Sequence, residues 1–109
     1  MEKSYNDKIK LLIENSKKYE NFPLVDFIRN TLLESGFSDS IMDNAYIDEI
    51  VNYPEIFGCY KDGDKLFTYS TNSHGEKFVK EYDDSAKFML VFLRTASISS
   101  KYPDNSKKK

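Results

Sequence analysis

The run from Ile56 to Leu93 limits what this chain can fold into more than any other stretch. Ile56-Phe57-Gly58-Cys59-Tyr60-Lys61 reads as a strand that stops at Asp62-Gly63-Asp64, residues that tolerate the positive φ of a tight turn. Lys65 to Thr71 then returns, rich in aromatic and hydroxyl-bearing strand formers. Asn72-Ser73-His74-Gly75-Glu76 is a second turn, and Lys77 to Tyr82 a third strand. Asp83-Asp84-Ser85 supplies a helix N-cap ahead of Ala86-Lys87-Phe88-Met89-Leu90-Val91-Phe92-Leu93. The pattern predicts a three-stranded antiparallel meander over about 56–82, followed by an apolar helix over about 84–97. Such a meander needs one face covered, and this helix is apolar enough to cover it.

The front half carries the other helical signals. Ser4 is the expected N-cap of a first helix, with Asp7 three residues on in the manner of a capping box. Tyr5, Ile9, Leu12, Ile13 and Ser16 recur on one face at helical spacing. Pro23 suits the first turn of a second helix, whose stripe is Leu24, Phe27, Ile28, Thr31, Leu32 and Ser35. Gly36 ends it as a left-handed cap, and Phe37 folds back on Leu32 or Leu33. A third helical segment is expected over 38–52, with Met42, Tyr46, Ile47, Ile50 and Val51 as its stripe, closed by Tyr53-Pro54. The fold class is therefore α+β: N-terminal helices packed with the meander and the apolar C-terminal helix in one domain, 1–98. Residues 99–109, ending in three lysines, are expected to be a disordered basic tail.

With 109 residues, eight Phe and eight Tyr, the chain has enough apolar area for a core without metal or disulfide. A single cysteine, Cys59, cannot form an internal bridge, and no segment has the length of a membrane span, so a cytoplasmic, reducing setting is expected. The catalytic inventory is thin. His74 stands alone in a turn, where a solvated residue is the ordinary reading. One Cys and one His build no zinc site, and the four glycines make no phosphate-cradling loop. Asp48-Glu49 and Asp83-Asp84 are adjacent acids, which point different ways on a helix. No catalytic residue, no metal and no cofactor is expected.

Charge is uneven. Residues 30–60 hold no Lys or Arg, against Glu34, Asp39, Asp43, Asp48, Glu49 and Glu55. The basic residues elsewhere are dispersed apart from the terminal lysines, which argues against a nucleic-acid partner. An acidic surface of this kind serves solubility in the ordinary case. Six acids with no compensating cation in that segment make a stronger signal, a negative face suited to a basic protein surface. Close, desolvated charge pairs in such interfaces contribute about 1.5–7 kcal/mol of coupling in favourable cases. Tyr46 and Tyr53 flank the acids as candidate anchors, with core packing as the competing use of both rings.

The segment Gly58-Cys59-Tyr60, Asp62 through Lys77, Glu81-Tyr82-Asp83 and the helix after it resembles small immunity proteins of bacterial polymorphic toxin systems. Members of that group share a short strand with Gly and Tyr, a glycine turn, an aromatic strand, a charged loop, a further strand and a helix. Asn72-Ser73-His74 stands where that loop is acidic and ends in Arg, and Leu66 stands where Trp is frequent. The resemblance implies a non-catalytic, cytoplasmic protein that binds a cognate protein toxin, a nuclease among the options, by covering its active site. Partner contacts are expected from Asp39, Asp43, Tyr46, Asp48, Glu49, Tyr53 and Glu55, with Asp62, Asp64 and His74 added from the turns. Three other readings rank below it: an acidic phage-type inhibitor of a defence nuclease, a module that self-associates through the apolar helix, and last a small hydrolase, which requires a cleft with perturbed groups. The oligomeric expectation is a monomer or weak homodimer.

Overall fold

Capping chemistry places the start of the first helix and the end of the second, whereas Pro23, expected in the first turn of the second, stands just before it as the N-cap residue. In the computed structural model, which describes residues 4–18 and 23–99, α1 runs Tyr5–Ser16 and α2 runs Leu24–Glu34. Ser4 Oγ accepts the Asp7 N–H at 3.2 Å, satisfying one of the donors that a helix start leaves open. At the end of α2, Phe37 N–H bonds the Leu32 carbonyl at 2.9 Å and Gly36 N–H the Leu33 carbonyl at 3.2 Å. Gly36 sits at φ 92°, the left-handed closure that glycine makes without strain. The basic tail anticipated over 99–109 lies outside the described residues from position 100 onward.

The sheet has four strands rather than three. β2 (Phe57–Asp62), β3 (Lys65–Thr71) and β4 (Lys77–Tyr82) form the expected antiparallel meander. A short β1, Tyr46–Ile47, adds to β2 in parallel, with Tyr46 opposite Gly58 and Ile47 opposite Cys59. The sheet is mixed, in the order β1-β2-β3-β4. The helix expected over 38–52 is accordingly replaced by a 3-10 helix at Asp39–Asn44, then β1, then a non-repetitive segment. Its apolar residues sort differently from a helical stripe. Met42 and Ile47 pack with the helices, whereas Tyr46 and Val51 pack on the other face of the sheet. Asp48 at φ 64° ends any helical continuation, and its N–H instead bonds the Cys59 carbonyl at 2.8 Å.

Helix α3, Ser85–Ile98, begins at Asp84, whose Oδ1 accepts the Ala86 N–H at 2.9 Å. Packed between α1, the 3-10 helix and the sheet, it buries Phe88, Met89, Phe92, Leu93 and Ala96. Polar ties hold it at both ends. Ser85 Oγ donates to the Ser16 carbonyl at 2.8 Å, and Asn44 Nδ2 to the Ala96 carbonyl at 2.9 Å. Burial within this one chain thus accounts for the apolar character of Phe88 to Leu93. No helix among the described residues is long and apolar enough to cross a membrane.

Phe92, in ring contact with Phe57 and Phe88, is the hinge of this packing. Phe92→Ala is expected to lower stability by about 3–5 kcal/mol in urea unfolding. Ile98→Ala, at a side chain 85% exposed on the same helix, is expected to change it by less than about 0.5 kcal/mol.

Candidate partner-binding face

Between β1 and β2 the chain must return to start a parallel neighbour. Residues 48–56 do so without a helix, as a strap laid across the sheet face opposite the helices. A strap has no ladder of its own, so its backbone groups need other partners. Side chains of β3 supply them. Tyr69 Oη donates to the Glu49 carbonyl at 2.7 Å and accepts the Val51 N–H at 3.1 Å. Two residues on, and on the same face, Thr71 Oγ1 donates to the Tyr53 carbonyl at 2.7 Å and accepts the Ile56 N–H at 3.0 Å. A hydroxyl is the group that can serve both senses at once. From β4, Lys77 Nζ adds a bond to Asn52 Oδ1 at 2.7 Å while lying 5.3 Å from the centre of the Tyr69 ring.

Tyr69 reaches the strap because its cross-strand neighbour is glycine. A Cβ on Gly58 would stand 2.5 Å from the Tyr69 ring carbon Cζ. The glycine is there for close approach. Burial pushes the Tyr69 phenol above its ordinary value, with the Val51 N–H bond opposing the shift, so the hydroxyl keeps the proton it donates. Beneath, Cys59 is fully buried, and desolvation raises its thiol far above the usual range. It is a small apolar core group, as its place in a strand implied.

The strap carries three of the carboxylates, and the 3-10 helix carries Asp43. Asp43, Asp48, Glu49 and Glu55 are exposed, and Asp48 and Glu55 both hold positive φ, at 64° and 57°. Asp43 and Glu49 line one surface cavity of about 240 Å³ together with Val25, Met42, Ala45, Ile47 and Arg29. Arg29 was not legible as part of this face. It precedes the cation-free block by one residue, yet α2 folds it back so that Nε lies 3.6 Å from Asp39 Oδ2 and Nη1 lies 3.7 Å from Asp26. The Asp26/Arg29 spacing was the available clue. Asp39 is thereby already engaged by a cation, through an exposed pair of small energetic worth.

The ten residues expected at the partner face do not form one patch. Tyr46 is 6% exposed and belongs to the core with Ile56 and Tyr69, which removes it as an anchor. Tyr53 is 58% exposed, its ring 6.1 Å from that of Tyr46. Asp62 ends β2 and Asp64 lies in the β2–β3 turn, whereas His74 lies in the β3–β4 turn at the opposite end of β3. Seven residues of strand separate the two turns by roughly 20 Å. Glu55 belongs to the His74 end, since its N–H bonds the Asn72 carbonyl at 3.1 Å. Asn72 also shapes that turn, its Oδ1 accepting the His74 and Glu76 N–H groups at 2.9 Å each. What stays together is Asp43 and Glu49, which share the cavity with Arg29, and Asp48 next to Glu49 in the chain. Among the described residues, no three His, Cys, Asp or Glu side chains come together as a metal site.

Two substitutions test the latch. Gly58→Ala is expected to displace the Tyr69 ring and lower stability by about 1–3 kcal/mol, read by urea unfolding. Tyr69→Phe keeps the ring and removes both hydroxyl bonds, lowering stability by about 1–3 kcal/mol. Because the folded phenol has a raised pKa, its contribution is complete below the ordinary tyrosine value of about 10 and is lost as pH rises through the folded value. The stability gap between wild type and Tyr69→Phe therefore narrows in alkaline solution. A gap that stays constant with pH contradicts the assignment. Compared with known proteins, the chain matches no family model, no curated protein and no solved structure.

Proposed function

We propose that this protein acts by binding, as an immunity-type inhibitor that neutralises a protein toxin by covering its active site or a surface beside it. The observation that carries the reading is the rigid presentation of Asp43, Asp48 and Glu49 along the β1 side of the sheet. Asp48 and Glu49 sit on a strap fastened by three side chains of β3 and β4, and Asp43 on the 3-10 helix that leads into β1. The strap-borne pair therefore needs little further ordering when a partner arrives. An anionic surface of fixed shape is complementary to the cationic cleft of an enzyme that acts on phosphate backbones. It speeds encounter with such a cleft and disfavours partners of the same sign. Exposed Tyr53 supplies an amphipathic ring on the same strap. Arg29, at the rim of the same cavity, tempers the charge on the α2 side and aims the negative potential toward Glu49 and Asp48.

The test is co-expression with a panel of bacterial toxin domains, read as rescued growth, followed by association kinetics with the toxin that is neutralised. Reversing Asp43, Asp48 and Glu49 together to Lys is expected to slow association by about tenfold or more at low salt and to flatten its salt dependence. Rescue of no toxin, or an unchanged association rate in the triple variant, contradicts the proposal.

A further inference from the structure

The edge of the sheet farthest from β1 has no partner strand among the described residues. β4 lies last in the order β1-β2-β3-β4, and it exposes two apolar side chains in mid-strand, Phe78 at 56% and Val79 at 52%. An open edge with exposed apolar residues is a template for strand addition, and proteins that keep such an edge empty blunt it by charge, proline or a bulge. β4 has no proline and pairs with β3 at every residue from Lys77 to Tyr82 without a bulge. Its charges are arranged in a way that a second β4 would satisfy.

We infer that two copies of this chain associate through β4, edge to edge and antiparallel, about a two-fold axis at Val79. The register follows from side-chain direction. Lys77, Val79 and Glu81 point to the strap face, opposite Thr71, Tyr69 and Phe67 of β3, while Phe78 and Lys80 point to the helix face. Extending one continuous sheet requires residues of the same face to oppose one another across the new edge. With Val79 opposite its own copy, Lys77 meets the second copy's Glu81, and this complementary pair occurs twice by symmetry. Phe78 meets the second copy's Lys80, a ring beside a cation and its alkyl stem. Moving the axis to residue 80, the next register that keeps the faces matched, sets Lys80 against Lys80. The main chain agrees with the axis at Val79. Asn72 N–H bonds the Glu76 carbonyl at 3.1 Å, so by antiparallel alternation Lys77, Val79 and Glu81 turn their N–H and C=O groups outward.

The anionic cluster lies at the other edge, and the strap keeps its Tyr69 and Thr71 bonds when Lys77 turns to the second copy. A second copy is favoured over a strand of unrelated sequence because the charge pattern of β4 is its own complement. The pairing competes with existing contacts of modest strength, the exposed Glu81–Lys65 pair at 3.0 Å and the Lys77–Asn52 bond at 2.7 Å, and one added strand pair is a small interface. Association is therefore weak and concentration-dependent.

Sedimentation equilibrium of the full chain across the micromolar to millimolar range tests this. The weight-average mass is expected to climb from monomer toward dimer. Lys77→Glu and Glu81→Lys singly place like charges opposite each other and weaken association by about tenfold, whereas the double exchange restores it. Loss of local contacts at Lys77 cannot produce that restoration. Under mild oxidation Val79→Cys forms a covalent dimer, since directly opposed Cα atoms fall about 5.5 Å apart, within disulfide reach. Lys80→Cys, displaced diagonally from its copy, does not, and buried Cys59 stays unreactive. A monomer at every concentration overturns the proposal and leaves the edge to a strand of a different protein. A dimer that Val79→Cys fails to trap, or that the double exchange fails to restore, overturns it equally.

Discussion

Everything on the strap side of the sheet depends on the Tyr69 hydroxyl reaching across Gly58. A parallel pair joined without a helix leaves its connection with unpaired N–H and C=O groups, and nine residues of strap cannot lie on a sheet unless those groups are met. Two hydroxyls from one strand, Tyr69 and Thr71, meet four of them, each donating once and accepting once. The Tyr69 ring occupies the space a side chain at 58 would take. Close approach, ring burial and strap position are thus a single arrangement. No buried side-chain nitrogen or oxygen among the described residues lacks a hydrogen-bond partner, and a network satisfied this fully makes its geometry specific.

The consequence is a three-layered molecule: helices, sheet, strap. α3 fills the helix side, tied by Ser85 to the end of α1 and by Asn44 to the 3-10 helix. On the other side the strap takes the place of a second helical layer and converts an acidic stretch of sequence into a shaped surface. Charge alone steers weakly in salt water. In the proposed role, charge held at fixed positions adds selectivity, because the ordering of the segment precedes binding.

Local signals were legible in the sequence, and distant ones were not. Ser4, Gly36 with Phe37, and Asp84 act within a few residues of themselves, and each does in the structure what its chemistry implied. The meander was equally plain, since its turns and strands are contiguous. β1 was not, because two residues carry no period. Tyr46 and Ile47 become a strand only through pairing with Gly58 and Cys59, more than ten positions on. Met42, Tyr46, Ile47 and Val51 fit a helical stripe equally well, because they are apolar for two different cores. The same blindness affects the site. Exposed acids were correctly placed on the surface, whereas the burial of Tyr46 and the return of Arg29 onto Asp39 required the fold.

Native-state hydrogen exchange, residue by residue, addresses the latched strap most directly. The Val51 and Ile56 amides donate to side-chain hydroxyls, at 3.1 and 3.0 Å, instead of to a helix or a sheet ladder. Exchange at both positions is expected to be slowed to nearly the extent seen for the paired amides of β2 and β3. Exchange of Val51 at the rate of an unstructured peptide, while those strands stay protected, would show that the anionic face has no fixed shape.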